Sequence, residues 1–426
     1  MLGAVVTVSG PMPSQPKTQA LSITQSSSGI ALAGGVRAGP WVFVSGLLPR
    51  DLGNAQRPRS SEPLWLTQAK SVWQGAADVL KAGGSDVPRI VRCDQFFTDW
   101  RAVPFFHQAR RSACGNYIAP STSILQPETL VPGADMMTDM IAVASDGPAI
   151  EPIFPKGLDT PSTSSFVPVV RAGDLVFVAG FLAASGPGDL DGVANEAKVP
   201  EGHLWKGNRI QLEARYVIKE KLIPALAGAG LEWKDTVKAN VFLRDIDDVP
   251  AFNQVWAEAF GGDIPATSIT PTSNPGFAIA DSRIEINLVA STARKNVKRI
   301  DSERGTLAVC DGHPVALRAG DLLLFSGLEA ADRNGLIAAA NSGGIEAQME
   351  YLIDVAEEVC AKAGTALQNA TRILQVHTDL AEFAPACRVW QRRFPDMQLP
   401  ISAARVPAPL IVPGCTVQLD LWVYAP

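Results

Sequence analysis

Two carboxyl groups stand where carboxyl groups are costly. Glu285 lies between Ile284 and Ile286 in RIEINLVAST, and Asp139 lies among Met136, Met137, Met140 and Ile141 in MMTDMIAVAS. An ionised carboxylate removed from water is strongly unfavourable unless it is paired, so each must have a partner or border a solvated cleft. A carboxyl held in such a place is the kind of group that transfers protons or orders an attacking water. Near the C terminus TVQLDLWVYA has Gln418 instead, with Asp420 two residues on and therefore on the same strand face. Other reactive patterns are missing. No G-x-S-x-G elbow occurs, and the four histidines lack the clustered acidic spacing of a metal site. The six cysteines (Cys93, Cys114, Cys310, Cys360, Cys387, Cys415) form no CxxC pair and are expected as buried free thiols. No cofactor and no metal are expected.

Composition narrows the partners. The chain of 426 residues is 46% hydrophobic and 19% charged, which describes a folded protein of more than one domain. A net charge of −6, with no Lys/Arg stripe, argues against nucleic acid. MLGAVVTVSGPMPSQPK has no basic region followed by a long apolar run, and no stretch approaches the length of a membrane span. A cytoplasmic protein with a small-molecule substrate, and neither a membrane nor a nucleic-acid partner, is expected.

The elements that carry the acids occur three times. RAGPWVFVSG (37–46), RAGDLVFVAG (171–180) and RAGDLLLFSG (318–327) each predict a buried strand after a turn. A helix follows each; in the first, Leu66, Ala69, Val72, Trp73, Ala76, Val79 and Leu80 recur at helical steps, and Gly84, Gly230 or Gly364 closes the helix. Next come strands ending at Asp99, Asp245 and Asp379, a second helix, and two more strands from Pro120, Pro265 and Pro400. Matching these markers gives three units, 1–150, 151–297 and 298–426, the second carrying a loop insertion at about 182–208. Arg37, Arg171 and Arg318 recur at the strand starts and read as structural. Ser–Lys pairs of a three-fold cyclic-amide hydrolase do not recur: Ala179 replaces Ser45 and Ser326, and Arg92 and Arg372 replace Lys238.

The residues resemble the RidA/YjgF group: a strand ending V-S-G, a helix closed by A-G, a V-F-x-x-D strand, an F-N-Q-V-W helix start, a P-x-T-S strand and a final I-E-I strand. The resemblance covers almost the whole chain in three copies. It implies an α/β fold of three RidA-like (chorismate-mutase-like) domains, each a mixed sheet with two helices on one face. It also implies that one chain forms the pseudo-threefold trimer, as a monomer or a homodimer of such units, with clefts between units.

The resemblance further implies imine or enamine deamination, in which a carboxylate moves protons. Glu285 and Asp139 would be the catalytic acids. The family arginine two residues after the strand proline is replaced by Thr122, Thr267 and Ser402, which with His107 and Asn253 would position the substrate. Ala384 would stand in the third copy where His107 and Asn253 stand. Arg405 reaches the cleft if a bulge falls between Ser402 and Arg405; otherwise it is an exposed or ion-paired arginine. The missing arginine favours a neutral or cyclic substrate over an imino acid. A binding module without catalysis is the alternative. Thr on a strand, a packed histidine beside Phe105 and Phe106, and an Asn helix cap are the plain structural readings of these polar residues.

Overall fold

A computed structural model of the protein describes residues 17–25, 31–52, 62–158, 166–186, 189, 191–203, 205–304, 312–332 and 343–426. The chain is mixed α/β with three mixed sheets. The first stretch supplies β1 (Gln19–Gln25), β2 (Ala31–Ala38), β3 (Trp41–Leu47), α1 (Leu64–Ala82), β4 (Ile90–Phe97), α2 (Val103–Cys114), β5 (Ser121–Leu125), β6 (Glu128–Thr129) and β7 (Met136–Val143). The second supplies β8 (Ile150–Ile153), β9 (Val169–Ala172), β10 (Leu175–Leu182), α3 (Arg209–Tyr216), α4 (Ile223–Gly228), β11 (Thr236–Leu243), α5 (Val249–Phe260), β12 (Ala266–Pro271) and β13 (Ile284–Ser291). The third supplies β14 (Lys298–Ile300), β15 (Ala316–Ala319), β16 (Leu322–Phe325), α6 (Ile345–Lys362), β17 (Ala370–His377), α7 (Phe383–Arg393), β18 (Ile401–Arg405) and β19 (Val417–Tyr424).

The sheets run β1-β2-β3-β7-β4-β5, β8-β9-β10-β13-β11-β12 and β14-β15-β16-β19-β17-β18-β6, one order used three times. In each, a helix crossover joins a parallel pair at one edge and the other pairings are antiparallel. β6 crosses over from the first stretch and extends the third sheet, with Arg405 opposite Glu128.

Local chemistry explains the repeated markers. Asp99, Asp245 and Asp379 each accept a hydrogen bond from the backbone N–H two residues on, capping the turn that leads into α2, α5 and α7. Gly84, Gly230 and Gly364 close α1, α4 and α6 at φ of 72°, 74° and 75°, a region that favours glycine. Arg37, Arg171 and Arg318 donate to the last helix carbonyls, Gly83, Ala229 and Ala363. Those arginines are helix caps.

The opening strands are apolar on both faces because both are buried. Val42 and Val44 pack under α1 and α2, while Trp41 and Phe43 point the other way. Val176 and Val178 alternate in the same way with Leu175 and Phe177, and Leu323 and Phe325 with Leu322 and Leu324. The second set of side chains forms one core shared by all three sheets, in which Trp41 meets Phe177 edge-on at 6.0 Å and Phe43 meets Trp422 at 6.1 Å. Cys93, Cys114, Cys360, Cys387 and Cys415 are free and buried, and Cys310 lies outside the described residues. Among the described residues no helix is long and apolar enough to cross a membrane.

Candidate functional site

Strands β3 and β10 break register just before their ends. β3 slips against β7 between Val44 and Leu47, and β10 slips against β13 between Val178 and Phe181. Such a bulge turns the strand end aside. Gly46 thereby abuts the backbone of Ile401 and Ser402 in β18, Gly180 abuts Thr122 in β5, and Gly327 abuts Ser268 in β12. First meets third, second meets first, and third meets second, which closes a ring. A side chain at Gly180 would collide with the Glu285 carboxyl and the Thr122 hydroxyl.

The three junctions carry different chemistry. At the second-to-first junction, Glu285 is 5% exposed. Burial, and secondarily the negative charge of Asp94, push its carboxyl up to about 8 against the pull of a backbone N–H bond from Ser123. Thr122 lies beside it, its Oγ1 accepting from Asn287 Nδ2 at 2.8 Å.

At the first-to-third junction, Asp139 is committed. Gly46 N donates to its Oδ1 at 2.8 Å, Ser402 Oγ donates to the same oxygen, and Arg372 Nε lies 3.3 Å from Oδ2. Burial raises its pKa, and Arg372, Ser402 and Gly46 oppose the rise. Beside Asp139 a cavity of about 550 Å³ opens between the first and third sheets.

At the third-to-second junction Gln418 replaces the acid, donating to Ile269 O at 3.0 Å and to Glu329 at 2.8 Å. Glu329 also accepts from Val412 N at 2.7 Å, and burial pushes it up to about 7 despite these donors. Sequence reasoning missed Glu329. The available signal was an acid two residues after Gly327, where Leu48 and Leu182 stand two residues after Gly46 and Gly180.

The remaining sequence-based site residues separate. Thr267 is displaced by a one-residue register shift: Asp94 pairs with Thr122 and Leu374 with Ser402, but Asn240 pairs with Ser268. The Thr267 hydroxyl donates to Pro265 O at 2.9 Å and accepts from Trp256 Nε1 at 3.2 Å, inside its own unit. Arg110, at the same helix position as Trp256, donates in the same manner to Ser121 at 3.1 Å. Arg405 is not turned inward. β17 and β18 pair without a break from Ile401 to Arg405, so no bulge exists, and Arg405 sits 43% exposed, 3.7 Å from Glu128. Its Nε donates to Thr378 O at 3.2 Å. His107 and Asn253 are half-buried on the first turns of α2 and α5. Burial, aided by Arg110 and Arg111, depresses His107 to about 2, so it is neutral at physiological pH. Because α7 starts at Phe383, the residue at the same helix position as these two is the buried Cys387, not Ala384. No group of three His, Cys, Asp or Glu among the described residues is arranged to hold a metal.

This architecture is an α/β protein with its candidate chemistry where sheets meet. A profile of the family described as Endoribonuclease L-PSP matches residues 158–292. The chain is 32% identical over 140 residues to the 3-aminoacrylate deaminase RutC of Acinetobacter baylyi, covering 33% of this chain and 96% of that protein. It is 30% identical over 122 residues to the mitochondrial protein mmf2 of Schizosaccharomyces pombe, covering 29% of this chain and 83% of that one. A solved chorismatase is similar in fold at TM-score 0.50 and 11% identity, covering 79% of this chain and 93% of the chorismatase. The chain belongs to the RidA/YjgF family, of which RutC is a member.

Proposed function

We propose that the protein is a single-chain pseudotrimer of RidA-like units. We infer that it hydrolyses a small, neutral imine, enamine or cyclic amide at the junction of the second and first units. The observation that carries this reading is the Glu285 carboxyl, buried against Gly180 and Thr122 and protonated up to about pH 8. For an imine, Glu285 gives its proton to the nitrogen as water adds to the carbon, and the carboxylate takes a proton from that water. The carbinolamine then breaks its C–N bond and releases ammonia and a carbonyl compound. The Thr122 hydroxyl orients the substrate, while the Ser123 N–H holds the Glu285 carboxyl.

The deaminase named among the relatives supports this class of reaction. The ring of junctions supports the pseudotrimer, as does the chorismatase likeness, which extends over most of the chain. The lack of an arginine beside Glu285 in β5 supports an uncharged substrate. A second reading, ligand binding without turnover, draws on Asp139, whose ion pair with Arg372 leaves it poorly placed to move protons. Ammonia release from an imine generated in situ decides between them. Release that is lost in Glu285→Gln supports hydrolysis, whereas a thermal shift with no release supports binding alone.

A further inference from the structure

We propose that the outer edge of the third sheet carries a binding site for a phosphoryl dianion, apart from the junctions between sheets and independent of their chemistry. A cavity of about 330 Å³ lies where β14 and β15 meet the end of α6, with Lys298, Arg318 and Lys362 on its wall. None of the junction residues lines it.

The corresponding edges of the other two sheets supply an acid. Arg37 meets Asp146 at 2.7 Å, and Arg171 lies 3.9 Å from Glu151, its direct partner across the ladder of β8 and β9. Across the ladder of β14 and β15 the partner of Arg318 is Lys298. Residues directly opposite one another share a face of the sheet, and like charges held there are unfavourable. Among the described residues Lys298 has no hydrogen-bond or ion-pair partner, and Arg318 bonds to the carbonyls of Gly320 and Ala363 without meeting an acid. Asp321 feels the charge of Arg318 but is engaged by Trp41 Nε1 at 3.3 Å. A bound anion removes the repulsion that Asp146 and Glu151 prevent in the other sheets.

Charge selects the ligand class. Lys362 is already answered, pairing with Glu358 at 2.8 Å and donating to Asp301 O at 3.0 Å. The Asp301 carboxylate is likewise taken, accepting from Arg299 Nε at 2.7 Å and from Val315 N at 3.1 Å. Lys298 and Arg318 are left as the uncompensated cations, which matches the charge of a dianion. A guanidinium fork beside an ammonium suits the oxygens of a phosphoryl group. The end of a helix ordinarily repels an anion, but here the Ala363 carbonyl is covered by Arg318 Nη1 at 2.9 Å, so the helix end presents a cation. The volume is at the small end of ligand sites and admits phosphate or a compact phosphate ester.

Titration of the full chain with inorganic phosphate, phenyl phosphate and benzoate, at an ionic strength held constant with sodium chloride and followed by calorimetry, tests the proposal. Both phosphates are expected to bind saturably, and benzoate, a monoanion, is not. The tighter of the two phosphates tells whether the site takes the free ion or an ester. Lys298→Glu copies the arrangement of Glu151 and Arg171, so it should abolish phosphate binding without lowering the unfolding midpoint of the free protein. Lys298→Met should weaken binding about tenfold, the loss expected for one charge-assisted hydrogen bond, and Lys298→Arg should retain it. Glu285→Gln should leave phosphate binding unchanged, which keeps this test distinct from that of the hydrolysis. No phosphate binding at millimolar concentration beyond the effect of chloride, or equal binding by Lys298→Glu, would overturn it.

Discussion

Lys238 and Asp420 come from different sheets and meet at 3.2 Å with both side chains buried. Lys238 Nζ also donates to Ser268 Oγ and Phe325 O. Burial alone would raise Asp420, but Lys238 and Arg372 hold its carboxyl below the usual range. Arg372 reaches Asp139 and Asp94 as well, and Arg92 holds Asp94. The first sheet brings Arg92 with Asp94 and Asp139, the second brings Lys238, and the third brings Arg372 with Asp420. Among these groups the charges cancel where the three sheets meet and not within the first or second alone.

Breaking this pair from one side should be severe. Lys238→Met leaves Asp420 short of a cation, and a loss of about 3–5 kcal/mol in urea-unfolding free energy is expected. Adding Asp420→Leu should recover much of it, because both charges are then gone. A double variant no more stable than the single one would show that the pair is not coupled in this way.

Glu285→Gln keeps the shape and removes the acid. Turnover should fall between about 10²- and 10⁴-fold if Glu285 transfers protons. Steady-state ammonia release measures it, and wild-type rates in the variant would exclude the assignment.

The same side chain sets a pH dependence of stability. Its folded value of about 8 lies above the ordinary 4.5, so between these values the folded state keeps a proton that the unfolded state has released. Stability from Glu285 should therefore fall as pH rises through this window and level off above about 8. Glu285→Gln should flatten the slope above pH 7, and the slope remaining below that belongs in part to Glu329, raised to about 7. Unfolding midpoints between pH 5 and 9 check both, and hydrolysis by the protonated acid should decline above about pH 8.

Arg405→Ala should do little. The exposed pair with Glu128 is worth under about 1 kcal/mol, and no ligand affinity should change. A marked loss of affinity for carboxylate ligands would restore Arg405 to a cleft.

If the three units close on each other within one chain, light scattering should return a particle of 45.2 kDa or its dimer. A stable trimer of chains would contradict the pseudotrimer.

The elements were legible because their causes are local. Strands apolar on both faces, helical spacing from Leu66 to Leu80, the closing glycines and the capping aspartates depend on residues within a turn or two. The hardship of Glu285 and Asp139 was also legible, since an acid among isoleucines or methionines is costly in any fold. How each acid is answered was not. Asp139 is met by Ser402 from 263 residues away, and Thr122 is met by Asn287 from 165 away.

Register was illegible for a related reason. Counting from Pro265 selects Thr267, but the side chain that faces the other units is decided by the pairing of β11 with β12, which selects Ser268. A one-residue shift in a strand exchanges its faces, and sequence spacing alone does not reveal it. The sequence by itself determined the strand–helix–strand–helix–strand–strand order that recurs, though not the edge strands β1, β8, β14 and β6, and that buried acids would need partners. The tertiary structure alone decided which acid is neutralised by an arginine and which is left protonatable, because burial and charge pairing are properties of what lies across a junction and not of what lies along the chain.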